Sequence, residues 1–382
     1  MNKIRRYRGE SMKVKWIEFE NLRTGLKIEK IEFNKDITLL VGLSGVGKTQ
    51  ILNAVEYSLK LAVNKNIHLE PYHCKLCIEI GEDLYEWEYC IKDNKNNELL
   101  SVGEEKYYFS KERLAKNETE LFLREEKKVW VIGYDKIPTP KRTESLLVQY
   151  AEDSDFRKII QDIRKLYPIE MEVDVRLGLD KEQFNELKRK VNKIMEQDKA
   201  ADMRRFSHLP VAIKLYIAKK YFPEVYLQIF GAVKELFIEI QDIDVVEDSL
   251  REMYLIAIRV YDKLLLQHEI SNGMLKTIYY IVQVFTMPEN STVLIEEFEN
   301  GLGVNCIDIL SEMLIEERKD LQFIITSHHP KIINGIDKGK WKIIDRDASV
   351  IKNSDCNEYG IGNSQHDAYF NLINRWEFEG KV

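Results

Sequence analysis

The sequence predicts an α/β fold with a mixed core sheet, an antiparallel β layer and an inserted helical lobe. Three observations lead to it. First, the β-branched apolar run Asp36-Ile37-Thr38-Leu39-Leu40-Val41 enters a glycine-rich stretch, Gly42-Leu43-Ser44-Gly45-Val46-Gly47-Lys48-Thr49, and residues 49–59 then place apolar side chains at helical spacing. Second, two later apolar runs, Thr292-Val293-Leu294-Ile295 and Leu321-Gln322-Phe323-Ile324-Ile325, each stop at polar residues able to do chemistry. Third, the stretch between these groups has mostly helical periodicity. With 382 residues, 44% of them hydrophobic, the chain has room for two or three domains, or for one large α/β core with insertions.

Taken in order, residues 14–19 and 27–33 read as short strands around the turn at Asn21 to Gly25, and 36–41 as the strand feeding the glycine loop. Residues 74–80 and 84–91 alternate with period two and are rich in aromatics, which predicts a hairpin across Gly81-Glu82-Asp83. Residues 93–97 read as a turn, 106–110 and 120–124 as further strands, and 128–132 as a returning core strand. Together, residues 1–142 form the N-terminal part of the core and carry the antiparallel layer. Residues 143–266 form the helical lobe, with helices expected at 154–166, 181–198, 211–220 and 248–266 and with Pro168, Pro210 and Pro223 as punctuation. Residues 267–382 complete the core. The lobe is too short, and too often broken by proline, for a long coiled-coil arm.

The formal net charge of -7 excludes a molecule that is basic all over for nucleic acid. A local cationic face stays open, at 188–193 and at Arg204-Arg205, for DNA, RNA or an acidic partner; the plainer reading is a solvated helix face. Five cysteines, an odd number in a long chain, indicate reduced thiols and a cytoplasmic protein. Cys74 and Cys77 form a CxxC, but no second pair stands at zinc-ribbon spacing. The charged start Met1-Asn2-Lys3-Ile4-Arg5-Arg6 is unlike a signal peptide, and no apolar run approaches the roughly 20 residues of a membrane span, so no membrane partner is expected.

The glycine stretch fits G-x-x-x-x-G-K-[ST], and strand, loop and helix are the context this pattern needs. Glycines let backbone N–H groups converge on an anion, and the helix start adds partial positive charge. Lys48 then neutralises β- and γ-phosphates and Thr49 holds Mg²⁺, so the loop with Gln50 is the candidate ATP-binding set. Downstream, Glu296 and Glu297 end an apolar strand; Glu296 is assigned to the metal and Glu297 to the attacking water. After the last apolar run comes Thr326-Ser327-His328-His329-Pro330, where His328 is placed to sense a γ-phosphate. Ser271-Asn272-Gly273-Met274-Leu275-Lys276 opens a helix running to about Phe285; by itself this reads as an N-cap serine, and upstream of an acidic strand it becomes a candidate anion contact.

Together these residues resemble the ABC-type ATPase superfamily, in the branch holding the RecF and SMC heads and the OLD-like ATPases. Residues 42–49 match the Walker A loop, 271–276 the signature, 293–297 Walker B and 326–330 the switch-histidine loop. Glu296-Glu297-Phe298-Glu299-Asn300-Gly301-Leu302 is similar to the acid-acid-x-Glu-Asn-x-Leu run of OLD-like ATPases, as are Ile344-Asp345-Arg346-Asp347 and Glu358-Tyr359-Gly360-Ile361 to their last strands. Two positions depart from the pattern: the signature is Ser-Asn-Gly-Met, unlike that of transporters, and Gly303-Val304 stands where His-Pro is usual. The resemblance implies a P-loop ABC-type ATPase head that shares ATP and Mg²⁺ across a homodimer or higher homo-oligomer, with Ser271, Asn272 and Gly273 of one copy facing the phosphate loop of the other. It makes Gln149 the candidate for the Gln beside the metal. It further implies an ATPase subunit of anti-phage defence modules such as Septu, PARIS and certain retron systems, acting with a separate nuclease or toxin effector. The alternatives it leaves are a RecF- or SMC-like repair ATPase that grips DNA, and a scaffold that binds ATP without turning it over, against which Glu297 speaks.

Overall fold

The computed structural model describes residues 12–94, 106–125, 128–137, 139–164, 166–169, 178–198, 201–303, 306, 307, 316–356, 372 and 374. The expected last strand around Glu358-Tyr359-Gly360-Ile361, and Val304 of the departing pair, lie outside them. The chain forms two compact units. One contains residues up to Pro168 with Asn290–Phe298 and the part from Asp320 onward; the other contains Ile169–Glu289 and Glu299–Lys319. The segment 143–266, expected as one lobe, is therefore distributed over both.

The first unit is built on one large mixed sheet. Its strands are β1 (Met12–Asn21), β2 (Leu26–Glu32), β3 (Ile37–Val41), β4 (Tyr72–Ile80), β5 (Asp83–Asp93), β6 (Tyr107–Lys116), β7 (Thr119–Glu125), β8 (Lys128–Val131), β9 (Leu166–Ile169) and, in the C-terminal part, β14 (Thr292–Ile295), β15 (Gln322–Thr326), β16 (Trp341–Asp347) and β17 (Val350–Asp355). In space they run β8-β7-β6-β5-β4-β1-β2-β17-β16-β3-β15-β14-β9. The expected antiparallel layer is thus a continuation of the core sheet, since β1 pairs with β2 on one edge and with β4 on the other. Strand β8, read from sequence as a core strand, is the outermost one and has only Val131 buried.

Parallel pairing of β3 with β15 and β16, and of β15 with β14, makes the centre. Every residue of β3, β14 and β15 is buried, as strands covered on both faces require. In β5 the burial alternates, so Tyr85, Trp87, Tyr89 and Ile91 point one way into the core shared with α1 (Lys48–Val63), with Leu146 and Leu147 of α2 (Leu146–Gln149) and with Phe156 of α3 (Ser154–Ile163). Ser58 of α1 is 2.9 Å from the Tyr89 hydroxyl inside this core. A buried amide ties the antiparallel and parallel parts together. Gln322 Oε1 accepts from Val14 N (2.8 Å) and Thr292 Oγ1 (2.9 Å), and its Nε2 donates to Val14 O (2.9 Å) and Asn34 O (2.7 Å). Cys74 and Cys77 sit within β4 as free thiols, and burial pushes the Cys74 thiol up to about 12.

The second unit combines helices with an antiparallel sheet, where the pattern predicted a mostly helical lobe. It has β10 (Leu179–Asp180), α4 (Lys181–Gln197), α5 (Val211–Tyr221), α6 (Pro223–Leu236), β11 (Ile240–Asp248), β12 (Met253–Val260), β13 (Lys263–Leu266) and α7 (Asn272–Phe285). Residues 248–266, expected as a helix, form an antiparallel meander instead. The turns hid this. Glu252 (φ 54°) and Tyr261 (φ 51°) adopt the left-handed conformation without glycine, and the Asp248 carboxylate organises the first turn by accepting from Leu250 N (3.1 Å) and Arg251 N (3.3 Å). Phe184 of α4 stacks on Tyr254 of β12 at 3.8 Å, and Lys219 of α5 pairs with Asp242 and Asp244 of β11. Among the described residues no helix is long and apolar enough to cross a membrane.

Candidate nucleotide site

Where β3 ends, the chain turns into α1 through the glycine loop. At Gly42 the backbone lies against β16 so closely that a Cβ would stand 2.5 Å from Ile344 O. Gly47 is the N-cap of α1, with φ 110°, and a Cβ there would fall 2.2 Å from Ile351 Cδ1. Only glycine combines this backbone with this lack of bulk. Lys48 is buried and folds back over the loop, donating from Nζ to Gly42 O and Leu43 O, each at 2.8 Å. The first turn of α1 has no acidic residue of its own, and the helix start carries partial positive charge. Ser44, Gly45 and Gln50 are exposed, Leu43 is half-buried, and Val46 packs into the core cluster.

Parallel register carries the other candidates to the same edge. Ile295 pairs with Ile325 and Thr326 with Leu40, so β14, β15 and β3 present their carboxyl ends side by side. The Thr49 hydroxyl donates to the Glu296 carboxylate there, across 247 positions of sequence. Glu297 follows with φ 44°, a left-handed backbone at an exposed non-glycine residue. Thr326 holds it in that shape: Glu297 N donates to Thr326 Oγ1 (2.8 Å), and Phe298 N donates to Thr326 O (3.1 Å). Phe298 itself is fully buried, which anchors the chain beyond the turn. His328 is half-buried immediately past the carboxyl end of β15, after the buried Ser327. His329, by contrast, caps the short helix α8 (Pro330–Gly335): its N–H donates to Ser327 Oγ at 3.0 Å and its Nδ1 accepts from Lys331 N at 3.3 Å.

These residues all belong to the first unit, whereas Ser271, Asn272 and Gly273 belong to the second. Ser271 is the N-cap of α7, its Oγ accepting from Met274 N at 3.3 Å. A Cβ at Gly273 would come within 3.0 Å of Gly303 N, so the helix start and the 301–303 turn pack backbone to backbone. Gln149, the candidate for the Gln beside the metal, makes its contacts elsewhere in this structure. Its amide accepts from Lys141 N (2.9 Å) and donates to Lys141 O (2.9 Å) and Glu144 O (2.8 Å), which commits it to the 141–144 loop.

Two residues of the site were not singled out from sequence. Thr326, read there only as part of the histidine loop, is the support of Glu297. Arg346, from the β16–β17 hairpin, reaches the glycine loop with Nη1 3.5 Å from Gly45 O; nothing in its local pattern signals this. The hydroxyl of Thr49 and the carboxylate of Glu296 are hard oxygen donors suited to Mg²⁺, which takes one or two protein ligands and completes its shell with phosphates and water. Among the described residues no cluster of three His, Cys, Asp or Glu side chains forms a cage for a metal.

Residues 146–334 match the family model described as AAA domain, putative AbiEii toxin, Type IV TA system. Over that stretch the chain is similar to an AAA domain. The stretch contains Ser271, Asn272, Gly273, Glu296, Glu297 and His328, and the phosphate loop at 42–49 lies outside it. No curated protein matches. Among solved structures the chain is similar to an SMC head bound to the C-winged helix domain of ScpA, at 13% identity and a TM-score of 0.44, over 89% of this chain and 97% of that one. It is also similar to an Smc head domain with an extended coiled coil bound to the C-terminal domain of ScpA derived from Pyrococcus furiosus (11%, TM-score 0.45, 91% and 98%). A third is the SMC head domain from Thermotoga maritima (14%, TM-score 0.45, 90% and 98%).

Proposed function

We propose that this chain binds Mg·ATP at the shared carboxyl edge of β3, β15 and β14 and hydrolyses it, and that the nucleotide controls assembly with a second copy and with a separate effector. The observation that carries the reading is the contact of Thr49 with Glu296 beside the Lys48 loop, which unites two segments remote in sequence at one anion-binding helix start. Lys48 and the backbone of 42–49 hold the β- and γ-phosphates, and Gln50 lines the same helix start. Thr49 and Glu296 hold Mg²⁺, which supplies neutralisation of the phosphate oxygens. Glu297, fixed by Thr326, orients and polarises the attacking water. His328 contacts the γ-phosphate side. Ser271, Asn272 and Gly273 of the neighbouring copy complete the pocket, so that ATP binds the subunits together and its hydrolysis lets them part.

The description of the matched family names a toxin of a toxin–antitoxin system. The chain is read as an ATPase that restrains or releases a toxic partner, nuclease or toxin, in anti-phage defence in the cytoplasm; the toxin–antitoxin setting of the family description supports only the link to toxicity. The test of the core reading is a pair of variants. Lys48→Ala is expected to lose ATP binding. Glu297→Gln is expected to keep it while turnover drops at least ~100-fold, the scale of a lost general base. Light scattering of Glu297→Gln with Mg·ATP should then show a doubled mass. Hydrolysis at the normal rate by Glu297→Gln would remove that residue from its role, and ATP binding by Lys48→Ala would remove the site.

A further inference from the structure

The β6–β7–β8 flank of the first unit is separate in strand order from the glycine loop. Here a cavity of about 420 Å³ is lined by Arg124, Arg142, Phe109, Trp130, Tyr134 and Asp135, among others. Arg124 is only 4% exposed. Its Nη2 donates to Glu144 O at 3.1 Å, but its Nε and Nη1 are buried with no hydrogen-bond partner among the described residues. The nearest carboxylate does not supply one. Glu112 stands 3.8 Å from Nη2, and its oxygens already accept from Ser145 Oγ (2.5 Å), Leu146 N (2.9 and 3.1 Å) and Trp87 Nε1 (3.2 Å). Two buried donors on a cation are expensive to leave unmade, and each can donate to an oxygen of an anion.

The rest of the lining says what else such an anion carries. Trp130 and Tyr134 are large aromatic side chains left 38% and 37% exposed at this cavity. Arg142 lies over the Tyr108 ring, its Cζ 3.8 Å from the centroid, and adds a second positive charge, against one acid in the lining, Asp135. We propose that this cavity binds a small organic anion: a carboxylate or phosphate gripped by Arg124, attached to a flat ring that packs on Trp130 and Tyr134. The volume suits a ligand of one or two rings.

The test uses the full chain with phenyl phosphate, benzoate and inorganic phosphate as probes, followed by calorimetry and by tryptophan emission, and repeated in Lys48→Ala to exclude the phosphate loop. Phenyl phosphate or benzoate is expected to bind in both backgrounds, with the stronger of the two naming the anion. Arg124→Gln should weaken binding at least tenfold. Trp130→Ala should weaken the ring-bearing probes and leave inorganic phosphate unchanged. If Arg124→Gln does not fold, Arg124→Lys and the rim variant Arg142→Gln carry the same expectation. No binding of either ring-bearing probe at millimolar concentration, or equal affinity in the folded arginine variants, overturns the proposal.

Discussion

Glu297 shows most clearly how single residues shape this site. A non-glycine side chain with φ 44° costs on the order of 1–3 kcal/mol, so such a backbone persists only where its surroundings hold it. The hold is Thr326, through its hydroxyl and its carbonyl together. Replacing Thr326 by Val keeps the shape and the carbonyl but removes the acceptor for Glu297 N. Turnover is expected to fall by about 10-fold or more with little change in KM, because a positioning contact is lost rather than a nucleotide contact. Thr326→Ser should restore most of the rate. Steady-state kinetics of the two variants, side by side, checks this; a KM rise with unchanged kcat would place Thr326 in binding instead. Lys48, Thr49, Glu296 and Glu297 were legible in the sequence as candidates because each motif is contiguous. Thr326 as a support was not, since its partner is set by strand register and not by neighbours in the chain.

The secondary-structure elements divide in the same way. Strands with clean alternation or with continuous burial, β3, β4, β5, β14 and β15, stand where the pattern put them. Residues 248–266 did not, because apolar residues there satisfy a helical spacing as well as an alternating one, and the turns that decide between them contain neither glycine nor proline. Across β4, β5 and β6, Glu88 sits 3.1 Å from His73 Nε2 and 2.9 Å from Lys111 Nζ. The hydrogen bond from His73, then that from Lys111, outweigh desolvation and hold the Glu88 carboxyl at about 2, below its ordinary 4.5. A depressed carboxyl stabilises the native state above pH 4.5 and loses that contribution as the pH falls from 4.5 toward 2. The melting temperature should therefore drop through this window, and Glu88→Gln should flatten the drop, as read by circular dichroism melts at successive pH values. An identical acid profile in the variant would show the pair to be idle.

For the whole molecule, the prediction concerns coupling between ligand and stability. Mg·ATP that binds only the native state should stabilise the unit holding the loop by about 2.7 kcal/mol at a hundredfold excess over Kd, a rise of a few degrees in melting temperature. Lys48→Ala should abolish the rise, as calorimetry would show; a rise of equal size in that variant would place the nucleotide elsewhere. By itself the sequence determined the α/β class, the strand–glycine loop–helix unit and the acidic and histidine ends of two buried strands, since a glycine loop, a lysine and a strand end are chemically defined over a few adjacent residues. Tertiary structure alone decided that the antiparallel strands continue the core sheet, that β8 is its edge, that the second unit contains a β meander, and that Thr49 meets Glu296. Those outcomes depend on which strands pair across hundreds of residues. That choice is made by the burial of whole faces and by buried polar hubs such as Gln322, and local periodicity does not record it.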